Sequence, residues 1–258
     1  MEIIDQNFRK IRVNLRKQGI DISDNVFRRF HPTTADDVEE ICVFCKSTKN
    51  LTKEHVLPKW LFEKDVESRF ISSVNRQTQS YNKAAIPACP DCNNTILAEI
   101  EKKVIFILQK LENEKQLDDK ELSNLIRWLE ILDYKLQVYD CRRKYLKHPN
   151  SEYNPFWAPL PVSWMSHYID MNPFKALDYL RRSQRRITVK SKTDRFFSIV
   201  FFETSRPHFN FFTQHDEYIF VSFPMYKLAV FYFLRKKFKK RELAYEEALY
   251  YIDGVSKS

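Results

Sequence analysis

The chain has 258 residues, 43% of them hydrophobic and 15% aromatic, enough apolar material for a folded core. Lysine and arginine total 43 against 34 aspartate and glutamate, a formal net charge of +9, which favours a polyanionic partner, nucleic acid first. Glycine occurs only at Gly19 and Gly254, which excludes a GxGxxG dinucleotide fingerprint and a Walker A phosphate loop. The longest uninterrupted apolar run is the seven residues Leu228–Leu234, whereas a membrane helix needs about 18 or more. The N-terminal stretch MEIIDQNFRKIRVNL is charged where an export signal needs an apolar centre. The expectation is a soluble, cytoplasmic protein with no membrane partner.

In chain order, residues 1–40 read as an N-terminal extension. Two CxxC pairs follow, Cys42/Cys45 and Cys89/Cys92, with 43 residues between them. Two-residue spacing lets both thiolates of a pair reach one ion from a tight knuckle, and two knuckles complete a tetrahedral four-cysteine zinc site. Such a zinc is structural, because thiolates fill all four positions. Between the knuckles stands Leu51-Thr-Lys-Glu54-His55-Val-Leu-Pro58-Lys-Trp60, and directly after the last cysteine come Asn93, Asn94 and a helical pattern.

The order knuckle, acid-His-x-x-Pro, knuckle-Asn resembles the HNH endonucleases, the ββα-metal nucleases, in the branch with a four-cysteine zinc frame. The resemblance covers about residues 41–97, so 41–98 reads as the nuclease module. It implies His55 as general base, Glu54 as first ligand of a catalytic divalent ion (Mg²⁺ or Mn²⁺), and Asn93 as second. Glutamate stands where Asp or His is commoner in the family. Ala84 stands where a middle Asn often braces the base, leaving that role unassigned. Asn93 has an alternative as a helix cap, with Asn94 then facing the ion. The chemistry suits phosphodiester hydrolysis: a neutral imidazole can take a proton from water, and a hard cation with one carboxylate and one amide oxygen can hold the phosphate.

Beyond the module, Leu97, Ile100, Val104, Ile107, Leu108 and Leu111 recur at helical spacing, as do Leu122, Leu125, Leu129, Leu132 and Leu136. Residues 99–147 therefore read as a helical hairpin, with Trp128 and Cys141 in its core. Prolines 149, 155, 159 and 161 mark an irregular connector. In the remainder, 148–258, a short helix is expected over Pro173–Ser183, then an antiparallel sheet from RITVK, RFFSIVFFE, HFNFFTQ and EYIFVSF, then a closing helix over Arg241–Ile252. The fold class is α+β. Two basic clusters flank the sheet. Arg181, Arg182, Arg185, Arg186, Lys190 and Lys192 form one; Arg235–Arg241, with Lys236 and Lys237, forms the other. Beside a nuclease module they read as phosphate contacts.

The expected function is an HNH endonuclease acting on nucleic acid, DNA ahead of RNA, with family analogy extending to effectors of phage defence or mobile elements. A protein partner or homo-oligomer stays open. The alternative is a non-catalytic zinc-ribbon protein that binds nucleic acid or acts as a scaffold.

Overall fold

The computed structural model describes residues 2–29, 38–62, 69–71, 78–142, 165–166, 170–171, 173–188, 190–214 and 216–256. The expected connector at 148–164 lies outside them. In chain order the elements are α1 (Ile3–Arg29), β1 (Thr52–His55), β2 (Arg69–Ile71), β3 (Thr78–Ser80), β4 (Ala85–Ala88), α2 (Ala98–Glu112), α3 (Asp119–Arg142), β5 (Met165–Ser166), β6 (Asp170–Met171), α4 (Pro173–Arg186), β7 (Ile199–Glu203), β8 (Phe211–Gln214), β9 (Tyr218–Phe223), β10 (Leu228–Phe233) and α5 (Arg241–Ser256). Helices mix with antiparallel sheet, as expected of an α+β chain. Two compact units form, residues 1–101 with 131–189, and 102–130 with 190–258. Both draw on the segment 99–147.

In the first unit the N-terminal extension is largely one 27-residue helix. Ile4, Phe8, Ile11, Leu15, Ile22 and Val26 are buried along it, the 3–4 spacing of an amphipathic stripe. Burying each such side chain contributes about 1.5–3 kcal/mol. The helix packs on α4. At Gly19 the approach is close: a Cβ there would lie 3.1 Å from Gln184 Oε1. Arg181 on α4 reaches Asp24 on α1 at 2.7 Å. Strands β1 and β4 pair antiparallel, with Glu54 opposite Ile86 and His55 opposite Ala85.

Helix α3 departs from the one-faced pattern read in its leucines: every residue from Glu121 to Cys141 is buried, Trp128 and Cys141 among them. Buried ions need partners, and in the first unit they have them. Asp133 accepts from Arg186 at 2.6 Å and from Gln137 at 3.0 Å. Lys135 lies between two carboxylates, described below.

The second unit holds a four-stranded sheet in the order β7-β10-β9-β8, antiparallel throughout. Phe231 and Phe233 on β10 pack with Tyr218 and Phe220 on β9 and with Ala244 and Ala248 of α5. The β9–β10 turn closes at Lys227 with φ 50. Glu130 accepts two bonds from Lys192, at 2.6 and 2.8 Å, and one from the Tyr232 hydroxyl at 3.2 Å. Two expectations change here. None of the described residues of RITVK lies in a strand. Helix α4 runs three residues past Ser183 to Arg186, its terminal Arg185 and Arg186 complementing the negative end of the helix dipole; Ile187 and Thr188 then lie outside any helix or strand. The fourth strand is Leu228–Phe233, central and buried at every position, so it lacks the alternation of a half-exposed strand.

Candidate metal centre and adjoining cleft

The two CxxC pairs converge. The Sγ atoms of Cys42, Cys45, Cys89 and Cys92 all lie within 4.8 Å of one another, with Cys45 and Cys89 at 3.5 Å. A zinc ion about 2.3 Å from four thiolates requires sulfur–sulfur edges of about 3.8 Å, and the cluster brackets that value. The four cysteines can hold a metal ion such as zinc.

Local backbone geometry makes this arrangement. In the first knuckle the Cys42 N–H donates to Ser47 O at 2.7 Å and the Lys46 N–H to Cys42 O at 2.8 Å. The reversal needs a left-handed residue, and Lys46 supplies it at φ 64, a conformation glycine usually takes. The Tyr134 hydroxyl of α3 donates to Val43 O at 2.5 Å, its ring edge-on to Phe44. In the second knuckle the Asn93 N–H donates to Cys89 O at 2.9 Å. The helix opens through a wide π-helical turn, Asp91–Leu97, before α2. Such turns are rare and recur at functional sites.

The thiols sense one another. The hydrogen bond from Cys92 pulls the Cys42 thiol down to about 5. The same bond, with burial and neighbouring thiolates, pushes Cys92 up. Burial raises Cys45 to about 12. Several negative sulfurs in one buried pocket are unfavourable without a cation among them.

Strand β1 runs from Thr52, opposite Ala88, to His55, which helps line a cleft of about 390 Å³ together with Glu54, Pro58, Lys59, Trp60 and Glu101. The cleft thus brings together two residues predicted from sequence, Glu54 and His55. Asn93 is not among its lining residues. The Asn93 amide donates to Thr52 Oγ1 at 2.9 Å, and Thr52 Oγ1 in turn donates to Ala88 O at 2.8 Å. That chain of bonds ties the helix start to the head of β1.

Glu54 is buried and accepts from Lys135 Nζ through Oε1 at 2.5 Å. The lysine side chain is 1% exposed and also lies 3.8 Å from Glu101 Oε1. Burial pushes the Glu101 carboxyl up to about 7; Lys135 opposes the rise and Glu54 adds to it. Burial, then the Lys59 and Lys135 charges, lower the His55 pKa, while Glu54 pulls it upward. The net direction favours the neutral imidazole over the imidazolium. Its Nδ1 is buried, and among the described residues nothing hydrogen-bonds it, so no side chain takes up the bracing role.

Sequence reasoning missed Glu101 and Lys135. Glu101 flanks the apolar stripe of α2, and Lys135 sits among the leucines of α3. Only the reach of Lys135 across 81 positions to Glu54 marks it.

The six cations singled out for phosphate already hold acids. Arg181 pairs with Asp24, Arg182 and Arg185 with Asp178, and Arg186 with Asp133. Lys236 pairs with Glu247 and Lys237 with Asp194. The Arg186 partner is 1% exposed, so that arginine is committed to the interior. The exposed pairs are weak, about 0–1 kcal/mol each, and a phosphate would have to displace them. No described helix is long and apolar enough to cross a membrane.

Comparison of the chain with family models, with curated proteins and with solved structures finds no match.

Proposed function

We propose that the chain is a metal-dependent endonuclease of the HNH type, hydrolysing phosphodiester bonds in nucleic acid, DNA ahead of RNA. One observation carries the reading: His55 and Glu54, on a strand paired with the segment that leads into the four-cysteine cluster, share a cleft with the carboxylate of Glu101. The succession of two antiparallel strands and a helix around that cluster agrees with it.

The division of labour follows from the side chains. His55 takes a proton from the attacking water, a step worth about 10² to 10⁴ in rate. Lys135 occupies Glu54 Oε1 and leaves Oε2 to a cation. The Asn93 amide N–H is taken by Thr52, so only its side-chain oxygen would be left to serve as the second ligand. A magnesium or manganese ion, when bound, supplies the Lewis acid for the phosphate and the departing 3′ oxygen. The cysteine frame holds β1 and the helix start in fixed register, the sub-ångström preorganisation such chemistry needs.

The experiment is a cleavage assay on plasmid, linear duplex, single-stranded DNA and RNA with added Mg²⁺ or Mn²⁺, comparing wild type with His55→Ala and Glu54→Gln. Metal-dependent cleavage that falls at least about 100-fold in His55→Ala is the expected result. Equal rates in wild type and His55→Ala would leave the cleft as a structural ion-pair site in a zinc-framed, non-catalytic protein.

A further inference from the structure

Among the described residues, a run of unpaired positive charge lies on α1. From Gln6 to Ile20 the helix contains no acid and five cations: Arg9, Lys10, Arg12, Arg16 and Lys17. Four of them, Arg9, Lys10, Arg16 and Lys17, are exposed. With Val13 and Ile20, 39% and 68% exposed, they fall at i, i+1, i+4, i+7, i+8 and i+11, which is one continuous stripe of an α-helix. The opposite stripe is the buried one that holds the helix in place. Among the described residues none of the five cations has an ion-pair or hydrogen-bond partner. Asp5 stands one turn before the stripe, and the acids after it are engaged: Asp21 with Lys46 at 2.7 Å and Asp24 with Arg181 at 2.7 Å. This contrasts with the clusters at Arg181–Arg186 and Lys236–Lys237, where every named cation meets a carboxylate.

Beside this stripe a cleft of about 460 Å³ opens between α1 and the second knuckle, lined by Gln6, Arg9, Lys10, Val13 and Asn14 and, from the π-helical turn, by Asp91 and Ile96. Asp91 is its one acid.

We propose that this face of α1 is a docking surface for the phosphodiester backbone of a nucleic acid, with the cleft beside the knuckle admitting one phosphate next to Arg9 and Lys10. Charge complementarity selects the occupant. From Arg9 to Lys17 the helix advances about 12 Å, a span that covers more than one phosphate of a strand, and flexible lysine and arginine stems extend it. Asn14 adds a neutral donor suited to phosphate oxygens, and exposed Val13 and Ile20 meet the apolar sugar faces. Backbone contacts position without reading sequence, so the surface confers affinity and orientation rather than base preference. The inference deepens the nuclease reading by naming where substrate is held, and rests on it only for the purpose of that grip.

The test measures binding without added divalent metal, as a function of salt, to a 20-base-pair DNA duplex, the corresponding DNA single strand and an RNA duplex of the same length. The proteins are wild type, Arg9→Gln/Lys10→Gln, Arg16→Gln/Lys17→Gln, the quadruple variant and a control, Lys115→Gln/Arg206→Gln, two exposed cations outside every basic cluster. Four phosphate contacts give a log–log salt slope of about −3.6 on duplex DNA, about 150-fold in affinity between 50 and 200 mM salt. Each paired variant should lower that slope by about 1.8 on duplex DNA, or about 1.4 on a single strand. The control should keep the wild-type slope. The three nucleic acids identify which backbone fits best. The pairs remain informative if the quadruple variant fails to fold. Wild-type slope in both pairs, or no measurable wild-type binding in any arm, overturns the proposal. Failure of the nuclease reading looks different: His55→Ala would cleave at the wild-type rate while the α1 variants still lost binding.

Discussion

Replacing Lys135 with methionine should destabilise the first unit strongly, and more at alkaline than at acid pH. The lysine is 1% exposed and sits 2.5 Å from a 9%-exposed glutamate, with a second carboxylate at 3.8 Å. At an effective dielectric of about 20, attraction at the shorter distance is worth about 7 kcal/mol, and desolvation of the ions cancels much of it. The intact group therefore contributes little net stability. Removing only the cation is different, because Glu54 and Glu101 stay buried without a counter-charge, at a cost of about 3–5 kcal/mol. For a chain of this size that corresponds to a fall of about 10 °C in Tm. The pH dependence follows from linkage. Burial already raises Glu101 to about 7, and loss of Lys135 raises it further. Between the unfolded and folded pKa values the native state binds more protons, so stability falls as pH rises. The loss in Lys135→Met should thus be largest near pH 8 and shrink toward pH 5. Chemical denaturation of wild type and variant at both pH values measures it. Glu54→Gln combined with Lys135→Met should recover part of the stability. A loss below about 1 kcal/mol, or an equal loss at both pH values, would refute the argument.

Other outcomes are equally specific. Purified protein should carry one zinc per chain by elemental analysis, and Cys42→Ser/Cys89→Ser should lose the metal together with its folding free energy. Thr52→Val removes the acceptor that holds the Asn93 amide; with zinc retained, turnover should fall and more divalent metal should be needed for half-maximal rate. Phe231→Ala, on the fully buried central strand, should cost about 3–5 kcal/mol in a denaturant melt while leaving zinc content unchanged.

Short-range chemistry was legible in the sequence. CVFC and CPDC announce a four-sulfur cluster because two-residue spacing already constrains each pair, and 3.6-residue periodicity marks α2 and α3. The stripe Ile4, Phe8, Ile11, Leu15, Ile22, Val26 was equally available, yet the charges interleaved with it led the first 40 residues to read as a mere extension. Strand β10 escaped for the opposite reason: LAVFYF is apolar throughout, and a strand buried on both faces shows no alternation.

What the tertiary structure alone decided is which charges are neutralised. The cluster RRSQRR is acid-free along the chain, but the fold brings Asp24, Asp133 and Asp178 to it, two of them from distant helices. Among the described residues the basic run of α1 receives no such partner. Glu54 and Lys135, 81 positions apart, become one ion pair inside the protein. Local pattern determines where a helix turns or a metal knuckle bends, because those depend on neighbours in sequence. Pairing of charges depends on which surfaces close over each other, and burial then makes the pairing obligatory.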